Sequence, residues 1–148
     1  MDKSPVIVPH GDGERLQALG ADVRFLCLPR QTGEAWSLME VTLPFEAGPP
    51  VHEHPWDECY YIVEGEVRFT LGERVDVFGS GDFLYAPAGT VHGFQGASAT
   101  PARVLVFDAP AAAEGFFRDV DREVRELPRD LAKVPEIAAR HRMRFLPA

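Results

Sequence analysis

Three side chains able to hold a metal ion, His52, His54 and Glu58, fall within seven consecutive residues. They sit in a stretch from Gly48 to Gly65 that reads as a strand, a tight bend and a second strand. Alternate side chains of an extended strand share a face, so His52 and His54 project together while Glu53 turns away. Pro55, Trp56 and Asp57 break the first strand, and the run from Cys59 to Val63 is rich in the aromatic and β-branched residues that favour strands. If the two strands pair, Glu58 lies opposite the histidines. Opposed Cβ atoms in a ladder are about 4.5–5.5 Å apart, within reach of one shared ion. Few chains could satisfy this pattern without a sheet that turns back on itself.

A further ligand has to come from elsewhere. Of the other histidines, His10 and His141 lie near the two ends, while His92 follows a turn as His52 does. Gly81 and Asp82 end a turn, Phe83 to Tyr85 is a short strand, and Pro87-Ala88-Gly89 is a turn that delivers His92 to a new strand.

These two constellations resemble the two motifs of the cupins, H-x-H-x3-E-x6-G and G-x5-P-x-G-x2-H. His52, His54, Glu58 and Gly65 match the first, and Gly81, Pro87, Gly89 and His92 match the second. Fifteen residues, Glu66 to Ser80, separate them, as in small single-domain bacterial cupins. The chain departs from the pattern twice. Three residues separate Gly48 from His52 where five usually separate the family's leading glycine from the first histidine, and Gly96 replaces an asparagine often found four after the last histidine. Neither position is a ligand. The resemblance implies an all-β fold, an antiparallel jelly-roll barrel over residues 1–108 with a helical C-terminal extension over 109–148. It implies one divalent metal ion held by His52, His54, Glu58 and His92, and a homodimer, as small cupins often form.

At 148 residues, with 45% hydrophobic and 26% charged residues, the chain suits one soluble domain with a single sizeable core. There is no internal repeat. Residues 1–113 hold 7 Lys and Arg against 16 Asp and Glu, and residues 114–148 hold 8 against 7. A nucleic-acid partner needs a basic face, so none is expected. No run of 18 apolar residues suggests a bilayer crossing, and the N-terminus lacks the pattern of a signal peptide, so no membrane partner is expected and the default location is cytoplasmic. Two cysteines, Cys27 and Cys59, fit a reducing compartment.

Strands are expected at Val6–Val8, Arg15–Ala18, Val23–Leu28, Trp36–Leu43, Glu66–Leu71, Arg74–Phe78 and Ala102–Phe107, with glycine turns between many of them. Either face of the Trp36–Leu43 strand could line a cavity. From Ala109 the pattern changes. Helices are expected over Ala111–Leu127 and Leu131–Arg142, with apolar residues recurring at three and four, and this tail is expected to pack on the barrel or on a second subunit.

Three imidazoles and a carboxylate suit Fe, Ni, Mn, Co, Zn or Cu, and an octahedral ion would keep two positions open for chemistry. The chain has no Ser-His-Asp or Cys-His arrangement to do that work instead. Glu58 is the candidate for a second, catalytic role, taking a proton from substrate, as the resemblance to quercetin 2,3-dioxygenase-like cupins implies. Tyr60 and Ile62 share the face of Glu58, Phe94 shares that of His92, and Phe83 and Tyr85 precede it, so these five are expected to line a small-molecule pocket. The leading expectation is a dioxygenase-like oxidoreductase acting on a small aromatic or enolisable substrate. The alternatives are a redox-neutral metal-dependent isomerase, lyase or cyclase, and a non-catalytic binding or sensing protein.

Overall fold

The computed structural model describes residues 3–147 and consists mostly of antiparallel strands. In chain order these are β1 (Arg15–Ala18), β2 (Ala21–Cys27), β3 (Ser37–Leu43), β4 (His52–Glu53), β5 (Asp57–Glu64), β6 (Glu66–Leu71), β7 (Arg74–Gly79), β8 (Phe83–Ala86), β9 (His92–Gly96) and β10 (Ala102–Ala109). Two short helices follow, α1 (Glu114–Glu123) and α2 (Val134–Arg140), and then a last strand, β11 (Arg144–Phe145).

The strands divide between two sheets. One has the order β1-β2-β3-β10-β5-β8 and the other β11-β4-β9-β6-β7, the crossed order of a jelly roll. Period-two patterning decides what faces inward. On β3 the buried residues are Ser37, Met39, Val41 and Leu43, and on β10 they are Ala102, Val104, Val106 and Asp108. That settles the face of the third strand that the sequence left open. Val67 and Phe69 of β6 and Phe94 of β9 meet them from the opposite sheet, and Tyr60 of β5 forms an aromatic cluster with Phe69 and Phe94 between the sheets, with ring centroids 5.0–5.3 Å apart.

Several expectations need correcting. Val6–Val8 is not a strand. Pro5 and Pro9 bracket it, each without an N–H to donate, and the Pro9 carbonyl accepts from the Arg24 guanidinium at 2.9 Å. The first helix begins at Glu114, three residues later than expected, because the buried Asp108 carboxylate accepts the N–H groups of Ala112 and Ala113 and holds them out of a helical ladder. It stops at Glu123, where the N–H groups of Arg125 and Glu126 turn to Asp130. The second helix is preceded by a 3-10 turn over Arg129–Lys133 and ends at Arg140. The C-terminal strand β11 was not expected at all.

The tail is fastened at both ends. The Gln17 N–H, on the outer edge of β1, donates to Asp121 of α1 at 2.8 Å, and Arg118 of α1 pairs with Glu14 at 2.7 Å. At the far end β11 pairs with β4, Phe145 opposite His52, so that the tail covers one mouth of the barrel.

Candidate metal centre

His52 and His92 face each other as direct partners in the β4–β9 ladder, with ring centroids 4.3 Å apart. His54 follows two residues after His52 on the same face, as strand alternation requires. Ligand atoms of all three buried rings lie within 4.8 Å of one another.

Glu58 arrives by a different route from the one expected. Strands β4 and β5 do not pair, because Pro55 and Trp56 carry the chain from one sheet to the other, and β5 pairs instead with β8 and β10. Glu58 therefore meets the histidines across the interior, its carboxylate 3.5 Å from His54 Nε2 and 3.7 Å from His92 Nε2. Both distances exceed a hydrogen bond, and the two Nε2 atoms are buried without a partner.

The outer nitrogens are all engaged. His52 Nδ1 donates to the Pro50 carbonyl at 2.8 Å, His54 Nδ1 to that of Trp56 at 3.1 Å, and His92 Nδ1 to that of Thr90 at 2.7 Å. A carbonyl can only accept, so each Nδ1 carries the proton and each Nε2 presents a lone pair inward. Backbone carbonyls hold metal-ligating histidines in this way, fixing tautomer and ring orientation. Two orphaned buried nitrogens aimed at one point, beside a carboxylate, fit a divalent ion.

The electrostatics favour the neutral imidazole at His52 and oppose it at His92. Burial, helped by the neighbouring His92, pulls the pKa of His52 down to about 3, leaving it neutral. Burial works to raise the Glu58 carboxyl, but His54 and His92 outweigh it and hold it well below the usual carboxylate range. For His92, burial is outweighed in turn by the Glu58 carboxylate, and the imidazole is raised. Glu58 is held in place from below by Tyr60, whose hydroxyl donates to Oε1 at 2.5 Å, and less closely by Trp56 Nε1, 3.4 Å from Oε2.

The pocket residues divide. Phe94 lines the cavity beside His52, His54 and Glu58. Tyr60 is buried beneath Glu58, and Ile62 lies deeper in the core, so neither forms the cavity wall. Phe83 and Tyr85 do not reach the site. In the β5–β8 ladder Glu58 pairs with Ala86 and Tyr60 with Leu84, so the intervening residues point outward, where Phe83 is 63% exposed and Tyr85 51%. Alternation counted back from His92 selects Ala86 and Leu84, which are buried, and leaves Tyr85 and Phe83 on the opposite face.

Two contributors were not read from the sequence. Trp56 stacks on His54 with ring centroids 4.0 Å apart and planes within 5°. It stood in a segment whose proline suggested only a break. The tail supplies Ala113, Phe116, Phe117 and Met143, which close the cavity opposite the histidines. The enclosed space is about 30 Å³, close to the share of liquid volume of one water molecule. Apart from the metal-facing groups, its walls are apolar.

A family model described as "Cupin domain" matches residues 39–108. Among solved structures, an RmlC-like cupin from Shewanella frigidimarina superimposes with a TM-score of 0.65 at 20% identity, over 75% of this chain and 96% of that one. The polyketide cyclase RemF from Streptomyces resistomycificus gives 0.64 at 23%, over 72% and 80%. The protein TT1209 from Thermus thermophilus gives 0.50 at 37%, over 52% and 74%. No curated protein matches the chain in sequence.

Proposed function

Because this chain belongs to the cupin family, we propose that it is a metal-dependent enzyme of dioxygenase type, acting on a small aromatic or enolisable substrate. The observation that carries this is the set of three inward Nε2 lone pairs, two of them buried and unpartnered, beside the Glu58 carboxylate. His52, His54, Glu58 and His92 would hold one divalent ion. Such an ion supplies Lewis acidity and, where redox-active, activation of dioxygen.

The chain's own part is to bind, orient and move a proton. Among the described residues, Glu58 is the only carboxylate lining the cavity. Held ionised, with Tyr60 donating to Oε1, it leaves Oε2 to accept a proton from an enolisable carbon or hydroxyl. Trp56 and Phe94 wall the cavity with aromatic rings, and Phe116, Phe117 and Met143 cover it, so an aromatic body would lie there only once that cover moves aside. A closed volume of about 30 Å³ suits a diatomic molecule beside the ligands. For this chain we also expect a homodimer. Tyr61, Phe83 and Tyr85 form an exposed apolar stripe on the outer face of the six-stranded sheet, and a second copy could cover it.

Elemental analysis of the purified protein beside a His52→Ala variant tests the site. About one equivalent of iron, nickel, manganese or copper, lost in the variant, supports the reading. Dioxygen uptake with flavonol, diketone and catechol substrates then tests the reaction. Turnover at an undiminished rate without dioxygen would overturn the dioxygenase assignment in favour of redox-neutral Lewis-acid chemistry. Ligand-induced stabilisation with no product under either condition would leave a binding protein.

A further inference from the structure

Most of the side chains lining the metal-facing cavity are buried, and three are only half buried: Leu19, Pro49 and Phe117. They come from three separate segments, the β1–β2 turn, the loop before β4, and α1. The segments touch. A Cβ on Gly20 would lie 3.2 Å from the Ala47 side chain, and α1 is tied to β1 through Gln17 and Asp121. Where the cavity wall reaches solvent, it therefore does so through three apolar side chains.

Leu19 is also the wrong residue for its turn. Ala18 pairs with Ala21, so Leu19 and Gly20 form a two-residue hairpin, with φ of 53° and 83°. Such turns need positive φ at both positions and favour Asn-Gly, because a short polar side chain tolerates the left-handed region and a leucine does not. Strain kept at one position, with the side chain laid on the cavity, points to a use for that side chain.

We propose that Leu19, Pro49 and Phe117 form an apolar gate over the metal site, and that Leu19 is its specificity-determining residue. The gate admits ligands with an uncharged, apolar body and oxygen donors at one end. It excludes dianions and heavily hydroxylated compounds. Among the described residues no Lys or Arg lines the cavity to meet a second negative charge, and Glu58 repels one. The selectivity rests on the metal-site reading above, whereas the gate itself concerns access to the cavity with or without an ion.

Trp56 is a built-in reporter, since it lines the cavity and is 1% exposed. The chain's other tryptophan, Trp36, lies outside the cavity and stacks on Phe107, so a Trp36→Phe background isolates the signal. In that background, Leu19→Asn should raise acrylamide quenching of Trp56 several-fold without lowering the thermal midpoint, because asparagine suits the turn. Exposed Val75, changed to Asn, should alter neither. Phe117→Ala is the second variant, and it should also raise quenching. Unchanged quenching in both folded variants overturns the gate.

For selectivity, the metal-loaded protein is heated with 2,4-pentanedione or with malonate, two probes with similar donor spacing and different charge. Pentanedione should raise the midpoint of the unaltered protein and malonate should not, and Leu19→Asn should narrow the difference. Equal shifts from both probes in the unaltered protein overturn the selectivity. Failure to take up metal, with the quenching change intact, supports the gate and overturns the metal reading instead.

Discussion

Replacing Tyr60 with Phe removes one oxygen atom and keeps the shape of the ring, which packs against Phe69 and Phe94. No cavity is created, so the effect reports the hydroxyl alone. That hydroxyl donates at 2.5 Å to the buried Glu58 carboxylate. A hydrogen bond to a charged group contributes about 1.5–3 kcal/mol, and part of this is offset because a buried hydroxyl no longer has to be desolvated. A net loss of about 1–2 kcal/mol is expected in the metal-free protein. In the metal-loaded protein, loss of an outer-shell partner costs about 10–100-fold in affinity. Urea unfolding of metal-free protein measures the first quantity, and titration against a competing chelator measures the second. If Tyr60→Phe left the affinity unchanged while lowering stability, Tyr60 would be an ordinary core residue and Glu58 would be oriented by something else. If neither quantity moved, the short contact would carry no energy and the account of how Glu58 is held would fail.

Other consequences are open to direct measurement. Asp108→Ala should cost about 2–4 kcal/mol in urea unfolding, because two backbone N–H groups and the Ser37 hydroxyl lose their buried acceptor. Asp108→Asn, which keeps an acceptor for the N–H groups, should cost much less. Asp130 is held well below its ordinary 3.8 by Arg129 and by the N–H groups of Glu126 and Arg125. A carboxyl lowered on folding contributes stability above its unfolded pKa and loses it as pH falls toward the folded one. The thermal midpoint should therefore drop on acidification below about pH 4, and less steeply in Asp130→Asn. Chelation of bound metal should lower the midpoint at neutral pH, and the His92→Ala protein should show no such drop. Sedimentation should give a dimer that Tyr85→Lys weakens, since Tyr85 lies on the exposed stripe.

The sequence was most informative where local rules coincide with tertiary ones. His52 and His54 share a face because extended backbone forces them to, and both are buried with ligand atoms within 4.8 Å of each other and of His92. Alternation says nothing about which strand pairs with which, however, so Glu58 was set across a ladder when it lies across the interior. Phe83 and Tyr85 were expected in the pocket only because they precede His92, and alternation counted from His92 selects Leu84 and Ala86 instead. Trp56 offered no periodic signal because it lies in the passage between sheets. The tail's part in the cavity was hidden because helical spacing shows that Phe116 and Val120 are buried, not what they are buried against.

One feature of the topology bears on how the protein matures. Phe145 pairs with His52 and lies 5.0 Å from its ring, centroid to centroid, and the Leu146 N–H bonds to the Val51 carbonyl at 3.0 Å. The strand bearing the first histidine is therefore not fully paired until residues more than ninety positions later have left the ribosome. A nascent chain has all four candidate ligands well before then, but not the cover that keeps water from them. Ion capture should consequently follow the pairing of β11 with β4, with selection among competing metals made by the covered site and not by an intermediate.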